Sequence, residues 1–128
     1  MIRGIAQVAL LVREYDETIE FYSGILGFSV LEDTPRPTKR WVRLAPAGGF
    51  GSQLLLSRAE SEEQRAQVGR QAGGRVFLFL HTDGLDAEYA RLRARGVTFT
   101  ESPRTEAYGK VAVFTDLYGN RLDLIEPA

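Results

Sequence analysis

The same order of predicted elements occurs twice in the chain, about 70 positions apart, and this repeat is the strongest constraint on the fold. Residues 1–58 and 75–128 each predict the order β-α-β-β-β, and residues 59–74 predict a short connecting helix. The segment Tyr15-Asp16-Glu17, before the first predicted helix, corresponds to Leu85-Asp86-Ala87, before the second, and the offset of the first pair is 70. The sequence therefore predicts one α+β domain built from two tandem β-α-β-β-β modules.

Apolar runs and period-two alternation predict the strands, and capping residues or glycines mark the ends of the helices. Asp16 is predicted to cap the first helix and Gly27 to end it. Ser61 is predicted to cap the connecting helix, which would run to about Gln71, and Gly96 to end the last helix. The predicted strands are Ile5–Val12, Phe28–Glu32, Trp41–Ala45, Ser52–Ser57, Val76–Thr82 and Val97–Thr100, followed by two strands within Val111–Glu126; the predicted turns and loops are Thr34–Thr38, Pro46–Gly51 and Glu101–Gly109.

The last predicted hairpin contains the residue that most needs an explanation. Two strand-like runs are joined by the turn Tyr118-Gly119-Asn120, and in the second run Arg121 and Asp123 share one face. An acid in the middle of a strand, beside apolar neighbours, is costly unless it is paired or used. Asp123 is therefore predicted to be a functional acid or, alternatively, the structural partner of Arg121 or Arg43.

The run from Asp116 to Leu124, DLYGNRLDL, resembles the closing strand of a vicinal-oxygen-chelate domain, which commonly reads close to D-P-D-G-x-x-I-E-L. That superfamily includes glyoxalase I, extradiol dioxygenases, fosfomycin-resistance enzymes and bleomycin-resistance proteins. The resemblance implies paired modules that form a curled mixed sheet, with a cup-shaped cavity on one face and helices on the other. An unrelated ferredoxin-like α+β sandwich is the alternative that element order alone leaves open.

The resemblance also implies four positions at which metal-binding relatives carry ligands. By the repeat, these positions fall on Gln7, Leu55, Phe77 and Asp123, and two of the four are hydrocarbon. A divalent ion needs at least three protein donors, and Gln53 supplies a third only in a shifted register. We therefore expect no cofactor, and a divalent metal on Gln7 and Asp123 is the alternative left open.

The other predicted cup positions have the make-up of a small-molecule site, an aromatic wall with a few converging polar groups. Asp123 and His81 are the candidate catalytic residues, each as a base in metal-free chemistry. Structural alternatives are a solvated strand end for His81 and core packing for Phe77 and Phe79. The predicted ligand-contacting residues are Gln7, Trp41, Arg43, Gln53, Leu55, Phe77, Phe79, Tyr108 and Arg121.

Composition excludes several classes of function. Sixteen basic and seventeen acidic residues give a net charge of −1, which does not indicate a nucleic-acid or membrane surface. The absence of cysteine excludes disulfides, thiolate metal sites and cysteine nucleophiles. No apolar run is long enough for a membrane span, so a cytoplasmic protein is expected. The family resemblance also implies a homodimer, because vicinal-oxygen-chelate proteins of this length usually pair two chains.

Two classes of function follow from the sequence. The first is a protein of the glyoxalase/bleomycin-resistance type that binds a small organic metabolite or drug in the cup, without a complete metal site. The second is a divalent-metal-dependent lyase, isomerase or dioxygenase that uses Gln7 and Asp123. Hydrocarbon at Leu55 and Phe77 favours the first class, and whether the protein is an enzyme is left open.

Overall fold

The computed structural model describes residues 1–48 and 51–128 and contains two compact units, Met1–Val68 and Gly69–Ala128. The predicted fold class is confirmed, because each unit holds a mixed four-stranded sheet and the order β-α-β-β-β. Two residues of the predicted Pro46–Gly51 turn, Gly49 and Phe50, lie outside the described residues. In the part that the structure describes, no helix is long and apolar enough to cross a membrane.

The first unit is one mixed sheet with short helices. In chain order its elements are β1 (Gln7–Val12), α1 (Tyr15–Ile19) with a π-helical continuation (Glu20–Ile25), β2 (Phe28–Thr34), β3 (Trp41–Pro46), β4 (Gln53–Arg58) and α2 (Glu62–Gln67). The strand order is β1-β4-β3-β2, in which β1 and β4 are parallel and the other neighbours antiparallel. The helix after β1 buries Tyr22, whose ring packs edge-on against Phe28 at 5.5 Å between centroids.

The second unit repeats this arrangement. Its elements are β5 (Val76–His81), α3 (Leu85–Ala94), β6 (Phe99–Glu106), β7 (Gly109–Thr115) and β8 (Arg121–Pro127). The strand order is β5-β8-β7-β6, with β5 parallel to β8. Ala9 lies opposite Leu55 in the first unit and Phe79 opposite Asp123 in the second, so the register preserves the repeat seen in the sequence.

Each sheet buries one face because its strands alternate between apolar and more polar residues. The strand β7 is an exception, since Val111 and Val113 are buried as well as the residues between and after them. The buried residues that form the core side of the sheets are Leu10, Val12, Val42, Leu44, Leu54 and Leu56 in the first unit and Ala112, Phe114, Leu122 and Leu124 in the second. The alternate positions form an open face on each sheet.

The clearest departure from the sequence prediction is β6, which occupies most of the predicted loop Glu101–Gly109. The loop prediction was wrong because Pro103, which donates no ladder hydrogen bond, lies in a strand that pairs only with β7. The register also shifts between Glu101 and Arg104, which accommodates the proline in an irregular edge strand. As a result, Glu101 and Arg104 join the sheet.

The helix ends agree with the predictions only in part. Ser61 caps α2 as predicted, since its hydroxyl accepts a hydrogen bond from the Gln64 backbone N–H at 3.1 Å. The helix ends at Gln67, earlier than predicted. The N-cap of α1 is Glu14 and not Asp16, whose carboxylate lies in the first turn and accepts a hydrogen bond from Arg40 at 2.7 Å.

A buried turn fixes the start of β8. Asp116 is only 5% exposed, and its carboxylate accepts hydrogen bonds from the backbone N–H groups of Tyr118 at 2.9 Å and Asn120 at 3.0 Å. It also accepts from the side-chain amide of the buried Asn120 at 2.9 Å. Gly119, at φ 95°, supplies the left-handed residue of the turn. Three hydrogen bonds to one carboxylate therefore set where β8 begins, and with it the position of Asp123.

Candidate functional site

The open face of the first sheet carries five of the predicted ligand-contacting residues. Trp41 and Arg43 of β3 and Gln53 and Leu55 of β4 are half-buried and alternate with the core leucines and valine. Arg43 lies opposite Leu55 in the register, and Gln7 lies opposite Gln53. The structure therefore brings these predicted residues together on one surface.

Arg43 is the centre of a polar network on this face. Its Nε donates to the Glu32 carboxylate at 3.0 Å, and another of its nitrogens donates to the Gln53 side-chain carbonyl. The Thr34 hydroxyl donates to the second oxygen of Glu32 at 3.1 Å. The hydrogen bond from Arg43 lowers the pKa of Glu32 below its ordinary value. The Arg43 guanidinium is thus held by partners in its own sheet.

The aromatic group on this face is Trp41, the only tryptophan of the chain. The Arg36 guanidinium lies over its ring at 5.9 Å from the centroid, within the range of a cation–π interaction. Trp41 is half-buried, which leaves part of its indole surface open to a ligand. The first sheet therefore offers an aromatic surface beside a fixed, charge-balanced polar group.

The open face of the second sheet is organised around Asp123, in the middle of β8. In the register Asp123 has Phe79 of β5 on one side and Val113 of β7 on the other. Phe79 is 65% exposed, whereas Val113 is buried. The carboxylate therefore lies between two hydrocarbon side chains, one of which is open to solvent.

Asp123 has no hydrogen-bond or ion-pair partner among residues 1–48 and 51–128, although two arginines lie near it. Arg121 donates to Glu101 at 3.2 Å, and Arg104 donates to Glu101 and, at 2.9 Å, to Glu106. The predicted alternative, in which Asp123 pairs with Arg121 or Arg43, is thus not the arrangement that the structure adopts.

Burial raises the pKa of Asp123 above its ordinary value, and the nearby Glu101 carboxylate acts in the same direction. The positive charges of Arg104 and Arg121 oppose this shift, and the net effect is still upward. The Nε of Arg121 is itself buried and makes no hydrogen bond within the described chain. This face therefore holds a desolvated acid that nothing in its own unit neutralises directly.

The remaining predicted residues lie at the margins of the second sheet. His81, at the end of β5, is exposed and lies two residues beyond Phe79, on the same face. Phe77 is at a register shift between Val76 and Leu78, so the alternation that would align it with Phe79 is interrupted there. Tyr108 is 55% exposed in the turn between β6 and β7, where its carbonyl accepts from the backbone N–H of Ala128.

Three charged residues of these faces were missed by reasoning from the sequence. Glu32 was predicted only as the end of a strand, yet it is the acid that holds Arg43. Glu101 and Arg104 were assigned to a loop, yet they form the ion pairs beside Asp123. The period-two spacing of Phe99 and Glu101, between the polar Thr100 and Ser102, was the signal that could have placed Glu101 on a strand face.

The metal implied by the family resemblance does not fit the donors on the sheet faces. In the described part of the chain, no group of three His, Asp or Glu side chains is placed to hold a metal ion. The neighbours of Asp123 in the ladder are Phe79 and Val113, which cannot coordinate. Gln7 and Gln53 are neutral amides, and Gln53 already accepts from Arg43. The donors beside Asp123 are therefore too few for a divalent ion.

We predict that protein purified without chelator contains well below one equivalent of Zn²⁺, Ni²⁺, Mn²⁺ or Fe²⁺ per chain. The reason is that one carboxylate with hydrocarbon neighbours lacks the three or more ligands that these ions usually take from a protein. Elemental analysis by mass spectrometry measures the metal content directly. A value close to one equivalent per chain would contradict the prediction.

A cleft of about 600 Å³ lies in the first unit, but none of the predicted site residues lines it. Its acids have basic partners: Asp16 bonds Arg40 at 2.7 Å, and Glu14 lies 3.8 Å from Arg58. The cleft is lined by Glu14, Tyr15, Asp16, Glu17, Arg36, Pro37, Thr38, Lys39, Arg40 and Arg58. We place the candidate site on the open sheet face that carries Asp123 instead, because that carboxylate has no hydrogen-bond or ion-pair partner among the described residues.

Comparison with known proteins agrees with this architecture. A protein of Shewanella frigidimarina (strain NCIMB 400), described only as uncharacterized, is 48% identical over 128 residues, covering 98% of this chain and 95% of that protein. The crystal structure of UcmS2 has a TM-score of 0.86 at 29% identity and covers 98% of this chain and 99% of its own. TnmS3, an antibiotic binding protein from Streptomyces sp. CB03234, has a TM-score of 0.80 at 30% identity, covering 99% and 98%.

The family resemblance found in the closing strand is confirmed by a match that spans both modules. The sequence model of the Glyoxalase/Bleomycin resistance protein/Dioxygenase superfamily matches residues 4–124, nearly the whole chain. The chain therefore belongs to the Glyoxalase/Bleomycin resistance protein/Dioxygenase superfamily.

Proposed function

We propose that the protein binds a small organic molecule, without a complete metal site, on the sheet face that carries Asp123. The observation that carries this proposal is the state of the carboxylate, which is partly desolvated and unpaired within its unit. A desolvated acid without a partner lowers the stability of the folded chain, and such costs are concentrated at functional sites. A hydrogen-bond donor on a ligand would offset that cost.

The open face of the first sheet supports a function of the same kind. Trp41 offers a flat aromatic surface, and Arg43 presents a guanidinium whose position is fixed by Glu32 and Gln53. Side chains that are already held in place lose little conformational entropy when a ligand binds. Aromatic groups with a few positioned polar groups are typical of small-molecule sites.

The likeness to TnmS3 indicates which organic molecules to test first. TnmS3 is an antibiotic binding protein, and its similarity extends over nearly the whole of both chains. We infer that the ligand of the present protein is likewise antibiotic-like, with an aromatic or other apolar body and a few polar groups. The biological role would then be sequestration of a toxic compound.

A ligand screen tests this proposal. Bleomycin and a panel of aromatic and amine-bearing antibiotics are added to the protein, and the melting temperature and the fluorescence of Trp41 are recorded. A ligand at about 100 times its Kd stabilises the folded state by about 2.7 kcal/mol, which is several degrees for a chain of this size. The proposal predicts such a shift for at least one compound, with saturable binding in calorimetry. No saturable binding across the panel would count against it.

Catalysis is the second candidate function, and the raised pKa of Asp123 favours it. A carboxylate with a raised pKa is a better general base than an ordinary aspartate, and none of the described residues pairs with Asp123. Mass spectrometry of each bound compound after prolonged incubation separates the two functions. An unchanged ligand supports binding alone, whereas a product that Asp123→Asn no longer forms supports catalysis. The metal-dependent alternative lacks a donor set among the described residues.

We also predict that the protein is a homodimer in solution. Each unit has two edge strands, β1 and β2 in the first sheet and β5 and β6 in the second. Unpaired strand edges promote unwanted association unless they are covered, and pairing of two chains covers them. Light scattering at micromolar concentration is expected to give twice the mass of the 14.3 kDa chain. The mass of a single chain would be the contrary result.

A further inference from the structure

We infer that the ligand carries an organic ammonium group, which the Asp123 carboxylate and the Phe79 ring bind together. This inference rests on the proposed function, because it names the chemical class of ligand for the same sheet face. It follows from the juxtaposition of an unpaired acid and an exposed aromatic ring, and from the way the surrounding charges are already matched.

The pairing of β5 with β8 makes the Phe79 ring and the Asp123 carboxylate neighbours in the sheet. Phe79 and Asp123 are direct partners in the parallel ladder of β5 and β8. Neighbouring strands are about 4.8 Å apart, so two such side chains on the same face stand side by side. Phe79 is 65% exposed, so its ring is open to contact by a ligand. An ammonium group can contact the face of such a ring and the carboxylate at once.

The charges around Asp123 determine the sign of the ligand. Glu101 bonds both Arg104 and Arg121, and Glu106 bonds Arg104, so these two acids and two arginines match one another. Among Glu101, Arg104, Glu106, Arg121 and Asp123, only Asp123 is without an ion-pair partner of opposite charge, and its charge is negative. An anionic ligand would meet a desolvated carboxylate, whereas a cation would satisfy it with a charge-assisted hydrogen bond.

The residues beside Asp123 favour an organic cation over a metal ion. A divalent metal needs several donors, and the two ladder neighbours of Asp123 are Phe79 and Val113. An ammonium group needs one acceptor, and its carbon substituents can pack on the hydrocarbon that flanks the acid. The same two side chains that exclude a metal therefore suit an amine attached to an apolar body.

A matched pair of probes tests the inference. Phenethylammonium carries an aromatic ring and a cationic nitrogen, and N-phenethylacetamide keeps the ring while its nitrogen is neutral. Both are titrated into the wild-type protein at pH 7, with binding followed by ligand-observed NMR. We expect the ammonium probe to bind at least about tenfold more tightly than the acetamide, which corresponds to about 1.4 kcal/mol.

Three variants then assign the preference to the two side chains. Asp123→Asn is expected to reduce the preference for the ammonium probe to less than about twofold, because it removes the charge but keeps the shape. Phe79→Ala is expected to weaken both probes. Glu63→Gln, which removes one negative charge from the exposed first turn of α2, is the control for net charge and is expected to leave the preference unchanged.

The outcomes separate this inference from the function on which it rests. Equal binding of the two probes to the wild type, no binding of either, or an unchanged preference in Asp123→Asn would overturn the ammonium assignment. If the antibiotics of the panel still bind in any of these cases, the proposed function stands and only the ligand class is wrong. If neither the panel nor the probes bind, the proposed function fails as well. Tight binding of Mn²⁺ or Ni²⁺ alone that Asp123→Asn abolishes would also overturn the assignment.

Discussion

Replacing Asp116 by alanine is expected to lower the free energy of unfolding by about 3 kcal/mol, since its carboxylate accepts two buried hydrogen bonds and one part-buried hydrogen bond, each of which contributes about 1 kcal/mol. The loss is large because the donors remain: two backbone N–H groups and the amide of the buried Asn120 would lose this carboxylate as their acceptor. For a chain of this size, the melting temperature is expected to fall by about 10 °C.

A thermal melt followed by circular dichroism measures this change, and two variants serve as controls. Asp116→Asn keeps an acceptor for the backbone but turns an NH₂ towards the Asn120 amide, so an intermediate loss is expected. Asp83→Asn alters an exposed acid of the same unit and is expected to change stability by less than about 0.5 kcal/mol. A melting temperature of Asp116→Ala within 2 °C or so of the wild type would show that the turn does not depend on the carboxylate.

The sequence was sufficient to predict the elements whose patterns are local. Alternation along β3, β4 and β8 correctly separated Arg43, Gln53 and Asp123 from the core leucines, because side chains in a strand change face at every residue. The turn at Tyr118-Gly119-Asn120 was predicted from residues that tolerate turn geometry. The offset of the two modules gave the overall order of elements.

The sequence was not sufficient where neighbours in space override local preference. Pro103 indicates a loop on its own, but the pairing of β6 with β7 holds its segment in an irregular edge strand. Asp16 is a good N-cap residue, yet Arg40, 24 positions away, holds its carboxylate, and the helix begins two residues earlier than a cap at Asp16 would place it. Such outcomes depend on tertiary contacts, which no window of sequence contains.

The same limit applies to the candidate site. The sequence placed Asp123 and Arg121 on one face but could not decide whether they pair, because that depends on which acid each guanidinium reaches. In the structure, the Arg121 guanidinium donates to Glu101, which was assigned to a loop. The Arg43 guanidinium donates to Glu32. Within its own unit, Asp123 therefore lacks Arg121 as a partner because of Glu101, an acid whose position the sequence did not reveal.

Replacing Asp123 by asparagine is expected to weaken ligand binding by about 10- to 100-fold while leaving the melting temperature unchanged or slightly raised. A hydrogen bond to a charged group contributes about 1.5–3 kcal/mol, and the neutral amide loses most of it. Stability does not fall, because no protein donor among the described residues depends on the carboxylate. Calorimetry with a ligand from the screen and a thermal melt measure the two effects.

The stability difference has a definite pH dependence. Because burial raises the folded-state pKa of Asp123, with Glu101 adding to the shift and Arg104 and Arg121 opposing it, the ionised form disfavours folding. The advantage of Asp123→Asn is therefore expected at neutral pH, to shrink as the pH falls through the raised pKa, and to vanish below the ordinary value of 3.8. If Asp123 were instead one half of a buried ion pair, the variant would lose about 3–5 kcal/mol at neutral pH. A fall in melting temperature of that size would show that the acid supports the fold, and the site would have to be placed elsewhere.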